Sequence, residues 1–185
     1  MEWLCIDFLN SDWRDWRGSG RREDRLDKAD WWAYVLRKWN LEAAVPPDAR
    51  TRAALGELRD RMRRMVEALA AGGTPEERDV EALNEALLLV PSHLRLTGEA
   101  QGYRLEQVTP AEGWPLVIGR IAASFAELLA NGDVRRIKIC DNRDCCWIFY
   151  DESRNRARRW CDDKMCGNLM KVRRFRERQK EKGGS

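Results

Sequence analysis

Five of the six cysteines lie between residues 140 and 166, in a spacing that is typical of a metal site. Cys140, Cys145, Cys161 and Cys166 form two C-x4-C pairs separated by fifteen residues. Zinc takes four thiolates in a tetrahedron with bonds of about 2.3 Å, and two tight cysteine pairs can supply them. The spacing therefore predicts one Zn²⁺ with a structural role, because four protein ligands leave no open position for water or substrate.

Alternatives to this assignment remain open from the spacing alone. Cys146 directly follows Cys145, and we take Cys145 as the second ligand because it makes the two spacings equal. An iron–sulfur cluster also uses four thiolates, and buried cysteines without any metal are a further alternative. Four thiolates around a divalent ion carry a net charge of −2, which nearby arginines would offset; we expect this of Arg143, Arg156, Arg158 and Arg159.

Positive charge is concentrated around the same cysteines. The chain as a whole carries +3, but residues 1–133 hold 18 basic and 23 acidic residues, whereas residues 134–185 hold 16 and 8. Phosphate contacts require Lys and Arg, so this segment predicts DNA binding, with RNA or an acidic protein surface as alternatives. The predicted contacts are Arg154, Arg156, Arg158, Arg159, Lys171, Arg173, Arg174, Arg176 and Arg178.

Helical periodicity predicts the elements that carry these residues. A helix capped by Asp27 or Asp30 should run to about Trp39, and a second should follow Asp48 up to Gly72. Two further helices are predicted after the capping box at 74–77 and from about 115 to 131. A β-hairpin is predicted over 93–108, and a final helix is expected to pack Leu169, Val172 and Phe175 onto the finger.

The N-terminal segment is harder to assign. The apolar run from Trp3 to Leu9 is too short to distinguish helix from strand, and a polar loop is expected over 11–25. No stretch reaches the roughly 18 uncharged apolar residues that span a bilayer, and the chain does not begin like a signal peptide. We therefore expect a cytoplasmic protein without a membrane partner.

The cysteine segment resembles a known family, the CGNR zinc finger. The resemblance rests on the two cysteine pairs, on the strand at 147–150, on the arginine-rich run at 151–161 and on Cys166-Gly167-Asn168. In that family the finger follows an ABATE domain, which is associated with stress-induced transcription regulation. Leu4 to Asn10 is similar to the motif that opens ABATE domains, and residues 54–59 to their following Arg-bearing helix. The family's arginine after Gly-Asn is Leu169 here.

The ABATE-like motifs draw attention to three polar residues of the body, Asp7, Asn10 and Arg59. A carboxylate, an amide and a guanidinium among tryptophans could line a pocket for a small-molecule effector. The alternative is that Asp7 pairs with Arg59 and fixes the N-terminal segment to the helix. No nucleophile with a partner base can be named, so we expect no enzyme.

Together these observations predict a mostly helical α+β protein. A helical ABATE-like domain with a small β-hairpin should occupy 1–133, and a treble-clef-like zinc finger with a basic helix should occupy 134–185. The resemblance implies a DNA-binding transcription regulator whose body senses an effector or a protein partner. The alternative function is a protein-interaction or assembly module, including a homodimer, without specific DNA binding.

Overall fold

Six helices and three two-stranded antiparallel hairpins form the part of the chain that the structure describes. This computed structural model describes residues 2–183, without the side chains of 181–183. The mostly helical α+β prediction is confirmed. The elements are α1 Leu4–Leu9, β1 Asp12–Arg14, β2 Arg22–Asp24, α2 Ala29–Lys38, α3 Ala49–Ala70, α4 Glu77–Leu87, β3 His93–Glu99, β4 Gly102–Val108, α5 Gly113–Asn131, β5 Ile137–Ile139, β6 Ile148–Tyr150 and α6 Asn168–Gly183.

Helix α5 lies at the centre of the apolar core. It contacts α1, α3 and α4, and it buries Val117, Ile121, Phe125 and Leu128 completely. These residues recur every three or four positions, which places them on one face of the helix. Among the described residues, α5 is the one helix long and apolar enough to cross a membrane by length and composition, but this face is packed inside the protein.

The N-terminal segment folds into a helix and a hairpin. The apolar run from Trp3 to Leu9, which the sequence pattern could not assign to helix or strand, forms α1. This helix buries Leu4, Cys5, Phe8 and Leu9 at helical spacing. The loop expected over 11–25 is wrong, because β1 and β2 pair antiparallel there. Polar contacts rather than apolar alternation hold this hairpin, which is why periodicity missed it: the Arg22 guanidinium lies 2.5 Å from the Asp12 carboxylate.

Helix starts show where capping rules succeed and fail. Helix α3 begins as predicted, since the Asp48 carboxylate accepts the Thr51 N–H at 2.7 Å. Helix α2 is preceded by Lys28, so capping by Asp27 or Asp30 is wrong. The predicted capping box at 74–77 is also absent, because α4 begins only at Glu77.

The hairpin of β3 and β4 confirms the prediction for 93–108, but its apolar face is exposed. Leu94, Leu96, Tyr103 and Leu105 are 68%, 64%, 81% and 61% exposed. They share one face, because Leu96 pairs with Leu105 and Tyr103 pairs with Gly98. On the other face, polar side chains pair with each other, as in the 2.6 Å contact between Arg95 and Glu106.

The C-terminal segment has the treble-clef-like order of hairpin and helix. Strands β5 and β6 pair antiparallel, and a tight helical turn over Asp163–Gly167 leads into α6. Val172 and Phe175 are 45% and 62% exposed, so the prediction that they pack onto the finger is wrong for these two residues, whereas Leu169 is half-buried. The backbone of the helix contacts mainly the turn at its own start, and Arg173 and Arg174 of its first half reach Asp144 and Trp160 of the finger.

The apolar core continues across the predicted boundary at residue 133. Ile137 of β5 and Ile148 of β6 belong to the same buried cluster as α1, α3 and α5. Strand β5 packs against α3, and β6 contacts α1. The β5–β6 hairpin of the finger therefore contributes side chains to the core of the body. The division of the chain into domains at 1–133 and 134–185 stays a prediction.

Candidate metal centre and nucleic-acid interface

The four predicted cysteines meet in one cluster. The Sγ atoms of Cys140, Cys145, Cys161 and Cys166 all lie within 4.8 Å of one another. Cys145 Sγ is 3.7 Å from Cys161 Sγ, which is 3.9 Å from Cys166 Sγ. Zinc–sulfur bonds of about 2.3 Å in a tetrahedron place sulfurs about 3.8 Å apart, whereas a disulfide requires about 2.05 Å. The cluster thus has the dimensions of a zinc site, and none of its cysteines forms a disulfide.

Each cysteine pair comes from a different local structure. Cys140 and Cys145 lie in the turn that joins β5 to β6, and the Cys140 N–H donates to the Trp147 carbonyl at 2.8 Å. Cys161 and Cys166 bracket the helical turn that precedes α6, where the Asp162 carboxylate accepts the Met165 N–H. The hairpin and the helix are therefore joined through the sulfur cluster.

Electrostatics favour a cation in this cluster. Hydrogen bonds from Cys145 and Cys161 lower the pKa of Cys140 to about 2. The hydrogen bond shared with Cys140 raises the pKa of Cys145, and it raises that of Cys161 to about 12. Burial raises the pKa of Cys166. Four thiolates within 4.8 Å of one another repel each other, so all four cysteines ionise together only when a divalent cation offsets their charge.

Asn142 is a site residue that the sequence analysis missed. Its side chain is fully buried, and Nδ2 lies 3.4 Å from Cys166 Sγ and 2.8 Å from the Trp16 carbonyl. An N–H donor on a thiolate reduces the excess negative charge of the site. The arginines expected in this role lie elsewhere: Arg158, for example, donates to the carbonyls of Trp160 and Cys161.

Cys146 lies outside the cluster. Its backbone has a φ of 53°, which turns the chain after Cys145 and directs the Cys146 side chain away from the other sulfurs. Its Sγ donates instead to the Arg143 carbonyl at 3.2 Å. The geometry therefore favours Cys145 as the second ligand.

A buried carboxylate organises the arginine-rich loop that follows β6. Asp151 is fully buried, and it accepts hydrogen bonds from Lys138 Nζ at 2.7 Å and from the N–H groups of Ser153 and Arg158. Burial alone would raise the pKa of Asp151, but these hydrogen bonds hold it well below its usual range. Lys138 also donates to the carbonyls of Arg156 and Arg158. The loop is thus folded around one ion pair.

Five of the nine predicted nucleic-acid contacts have partners within the protein. Arg156 lies 3.4 Å from the Asp133 carboxylate, Arg159 lies 2.6 Å from that of Asp141, and Arg173 lies 2.6 Å from that of Asp144. The other two contact aromatic rings: the Arg158 guanidinium lies 4.8 Å from the ring of Phe149 and that of Arg174 lies 5.6 Å from the ring of Trp160.

The remaining four predicted contacts are free cations. Arg154, Lys171, Arg176 and Arg178 are exposed, and none has an ion-pair partner among the residues whose side chains are described. Three of them lie on α6 and one on the loop over 151–160. Within the part of the chain whose side chains are described, these four side chains can reach an external polyanion without breaking an ion pair.

Asp7, Asn10 and Arg59 do not come together as a pocket. Asp7 accepts hydrogen bonds from Lys38 at 2.7 Å and from the Trp39 indole at 2.9 Å. Arg59 binds Asp24 and Ser11 instead of Asp7, so the predicted pairing of Asp7 with Arg59 is wrong as well. The physical reason is that Lys38 on α2 lies closer to Asp7 and satisfies its charge.

Arg59 and Asn10 stabilise the body and its junction with the finger. The Arg59 guanidinium donates twice to the Asp24 carboxylate, both at 2.7 Å, and once to the Ser11 hydroxyl at 2.9 Å. The Asn10 amide donates to the Ile148 carbonyl and accepts the Ile148 N–H, both at 2.8 Å. Both side chains are over 90% buried, which leaves them no surface for an effector.

Comparisons with known proteins agree with this architecture. Residues 2–132 match the family model ABATE, described as "Putative stress-induced transcription regulator", and residues 136–179 match the CGNR zinc finger. No curated protein matches the chain. The four-cysteine geometry and the finger match together support one structural Zn²⁺. Because the ABATE match covers well over half of the chain, the chain belongs to the ABATE family, and its residues 136–179 form a CGNR zinc finger.

Proposed function

We propose that this protein is a transcription regulator that binds DNA through its zinc finger. The observation that carries the proposal is the set of four exposed cations, Arg154, Lys171, Arg176 and Arg178, which lack ion-pair partners in the described structure. A polyanion contacts such side chains at low cost, since no internal ion pair has to break. The zinc ion holds the loop and the helix that carry them in one arrangement.

Five of the basic residues have a different role in this proposal. Arg173 and Arg159, for example, are engaged by carboxylates at 2.6 Å and stabilise the finger itself. Their substitution would disturb the finger, so it would not isolate a nucleic-acid contact. The helical body is the regulatory part, and a reducing compartment such as the cytoplasm suits a finger that depends on thiolates.

Fluorescence anisotropy with labelled random-sequence duplexes tests the proposal. Arg176→Ala/Arg178→Ala should weaken binding at about 50 mM salt by about tenfold and reduce the slope of log affinity against log salt by about 2. The matched control is Arg37→Ala/Arg50→Ala, which removes two exposed arginines from α2 and α3. Absence of binding to any duplex at low salt, or an equal effect of both double variants, would overturn the DNA role. Tighter binding to RNA than to DNA would contradict the DNA role and assign the finger to RNA.

Assembly into a homodimer is a second candidate function, favoured by the exposed face of the β3–β4 hairpin. An isolated two-stranded hairpin is marginally stable in water, so its apolar face gains stability when covered. The charged side chains of this hairpin, Arg95, Arg104, Glu99 and Glu106, balance one another, so a second copy can approach without repulsion. Stable interfaces bury about 800 Å² per partner, and four large apolar side chains supply the centre of such an area.

Light scattering after size exclusion tests this assembly. At about 50 μM we expect a dimer of twice 21.6 kDa, and Leu96→Asp should convert it to a monomer, because the carboxylate would be buried without a partner. Val80→Asp on the exposed surface of α4 is the control. A monomeric wild-type protein, or a dimer that persists in Leu96→Asp, contradicts the assignment.

A further inference from the structure

A basic cleft lies where the N-terminal hairpin meets the first cysteine turn. It has a volume of about 240 Å³, and its lining combines four arginines with two aspartates. The lining residues are Arg14, Asp15, Gly20, Arg21, Arg22, Arg143 and Asp144. The cleft thus joins a surface of the helical body to a surface of the zinc finger.

Donors in this cleft exceed acceptors. The Asp144 carboxylate already binds Arg173, and that of Asp15 accepts from the Ser19 hydroxyl and from the Arg17 N–H. By contrast, Arg21 and Arg143 are exposed and have no ion-pair partner among the side chains described.

Arg14 adds a buried donor to the same lining. Its Nε is a buried N–H group without an acceptor, although its Nη2 lies 3.1 Å from the Asp12 carboxylate. A buried donor without an acceptor costs about 1–3 kcal/mol. An anion in the cleft would meet the exposed guanidinium groups of Arg21 and Arg143, and Arg14 would add positive charge to the same lining.

Specific contacts hold the two walls of the cleft together. Arg173 Nη2 donates to the Arg17 carbonyl at 2.9 Å, while Nη1 binds Asp144. Asn142 reaches the Trp16 carbonyl from the zinc site. Gly18, with a φ of +92°, fits between them because a Cβ there would lie 2.7 Å from the Arg173 guanidinium. The hairpin loop is therefore docked on the finger, beside the start of α6.

We propose that this cleft binds one phosphate group of the nucleic-acid backbone. The chemistry is that of guanidinium groups around a phosphate, which accepts several N–H donors at once. The body would then contact the same strand as α6, so that the nucleic-acid surface extends from the finger onto the N-terminal hairpin. This inference rests on the proposed function and adds the body to it.

The test uses the full-length zinc-loaded protein and the double variant Arg21→Ala/Arg143→Ala. We expect binding to a duplex at about 50 mM salt to weaken by about tenfold, and the salt slope to fall by about 0.9, the value for one phosphate. The matched control is again Arg37→Ala/Arg50→Ala, which removes the same charge from α2 and α3. Zinc content and melting temperature should stay unchanged, because Arg21 and Arg143 form no ion pair with any side chain that the structure describes.

Four outcomes distinguish the proposals. Weakening in the cleft variant with the predicted loss of slope, while the control binds like wild type, supports the cleft. Weakening in Arg176→Ala/Arg178→Ala but not in the cleft variant overturns the cleft and leaves the proposed DNA role intact. Equal weakening in the cleft variant and the control overturns the cleft as well, because it reports net charge alone. Absence of any nucleic-acid binding by the wild type overturns both.

Discussion

Asn10 joins the body to the finger, and its loss should weaken both. Its amide forms two hydrogen bonds of 2.8 Å with the backbone of Ile148, a residue that is fully buried. Asn10→Ala removes both partners and leaves a buried N–H and a buried C=O unsatisfied, each costing about 1–2 kcal/mol. We therefore expect a loss of about 2–4 kcal/mol in unfolding free energy. At this chain length that corresponds to a fall of about 6–12 °C in melting temperature.

Urea unfolding followed by circular dichroism measures this loss. Free zinc must be held constant, because ligand binding contributes to apparent stability. The matched control is Asn84→Ala on the exposed surface of α4, where we expect a change within about 0.5 kcal/mol. Zinc transfer to a chromogenic chelator should also be faster in Asn10→Ala, since β6 leads out of the first cysteine turn. A loss for Asn10→Ala no larger than that of the control would refute the reasoning.

Three further predictions concern the metal site and the ion pair of the body. Cys145→Ser should lose most of the bound zinc and Cys146→Ser should keep about one per chain, as measured by elemental analysis; the reverse result would exclude Cys145 as ligand. Arg59→Lys should cost about 1–3 kcal/mol in urea unfolding, because an ammonium cannot reproduce two parallel bonds to Asp24; an unchanged stability would contradict this. Burial opposes ionisation of Asp24, but the hydrogen bonds from Arg59 and Leu26 outweigh it and lower its pKa. The difference in unfolding free energy between the wild type and Asp24→Asn should therefore be constant from pH 7 to about 5. It should shrink as the pH falls below 3.8, the ordinary pKa of an aspartate, and a difference that grows on acidification would contradict the pairing.

Much of the metal site could be predicted from sequence because its requirements are local. Two cysteines five positions apart can approach one ion from a single tight turn, and two such pairs complete a tetrahedron. The same reasoning holds for α3, whose start depends on Asp48 and the N–H of Thr51 three residues later. In both cases the partners lie close along the chain.

The features that sequence analysis missed depend on distant partners. Asn142 bonds to Trp16, 126 residues away, and Arg173 contacts the carbonyl of Arg17, 156 residues away. A single asparagine in a turn carries no periodic signal. Charge counting likewise finds the basic segment but cannot separate Arg173, which is paired with Asp144, from Arg178, which has no ion pair with any side chain described up to residue 180.

The same distant contacts determine how a signal could pass from the body to the finger. Three sets of hydrogen bonds connect the N-terminal segment to the finger: Asn10 with β6, Asn142 with the Trp16 carbonyl, and Arg173 with the Arg17 carbonyl. Asn142 lies in the turn that carries Cys140 and Cys145, and Arg173 lies in the first half of α6. Because α1 and the β1–β2 hairpin carry the other ends, a displacement of the N-terminal segment must either break these bonds or move the finger with it. The first 17 residues of the chain therefore couple the ABATE domain to the finger, in addition to the packing of β5 against α3.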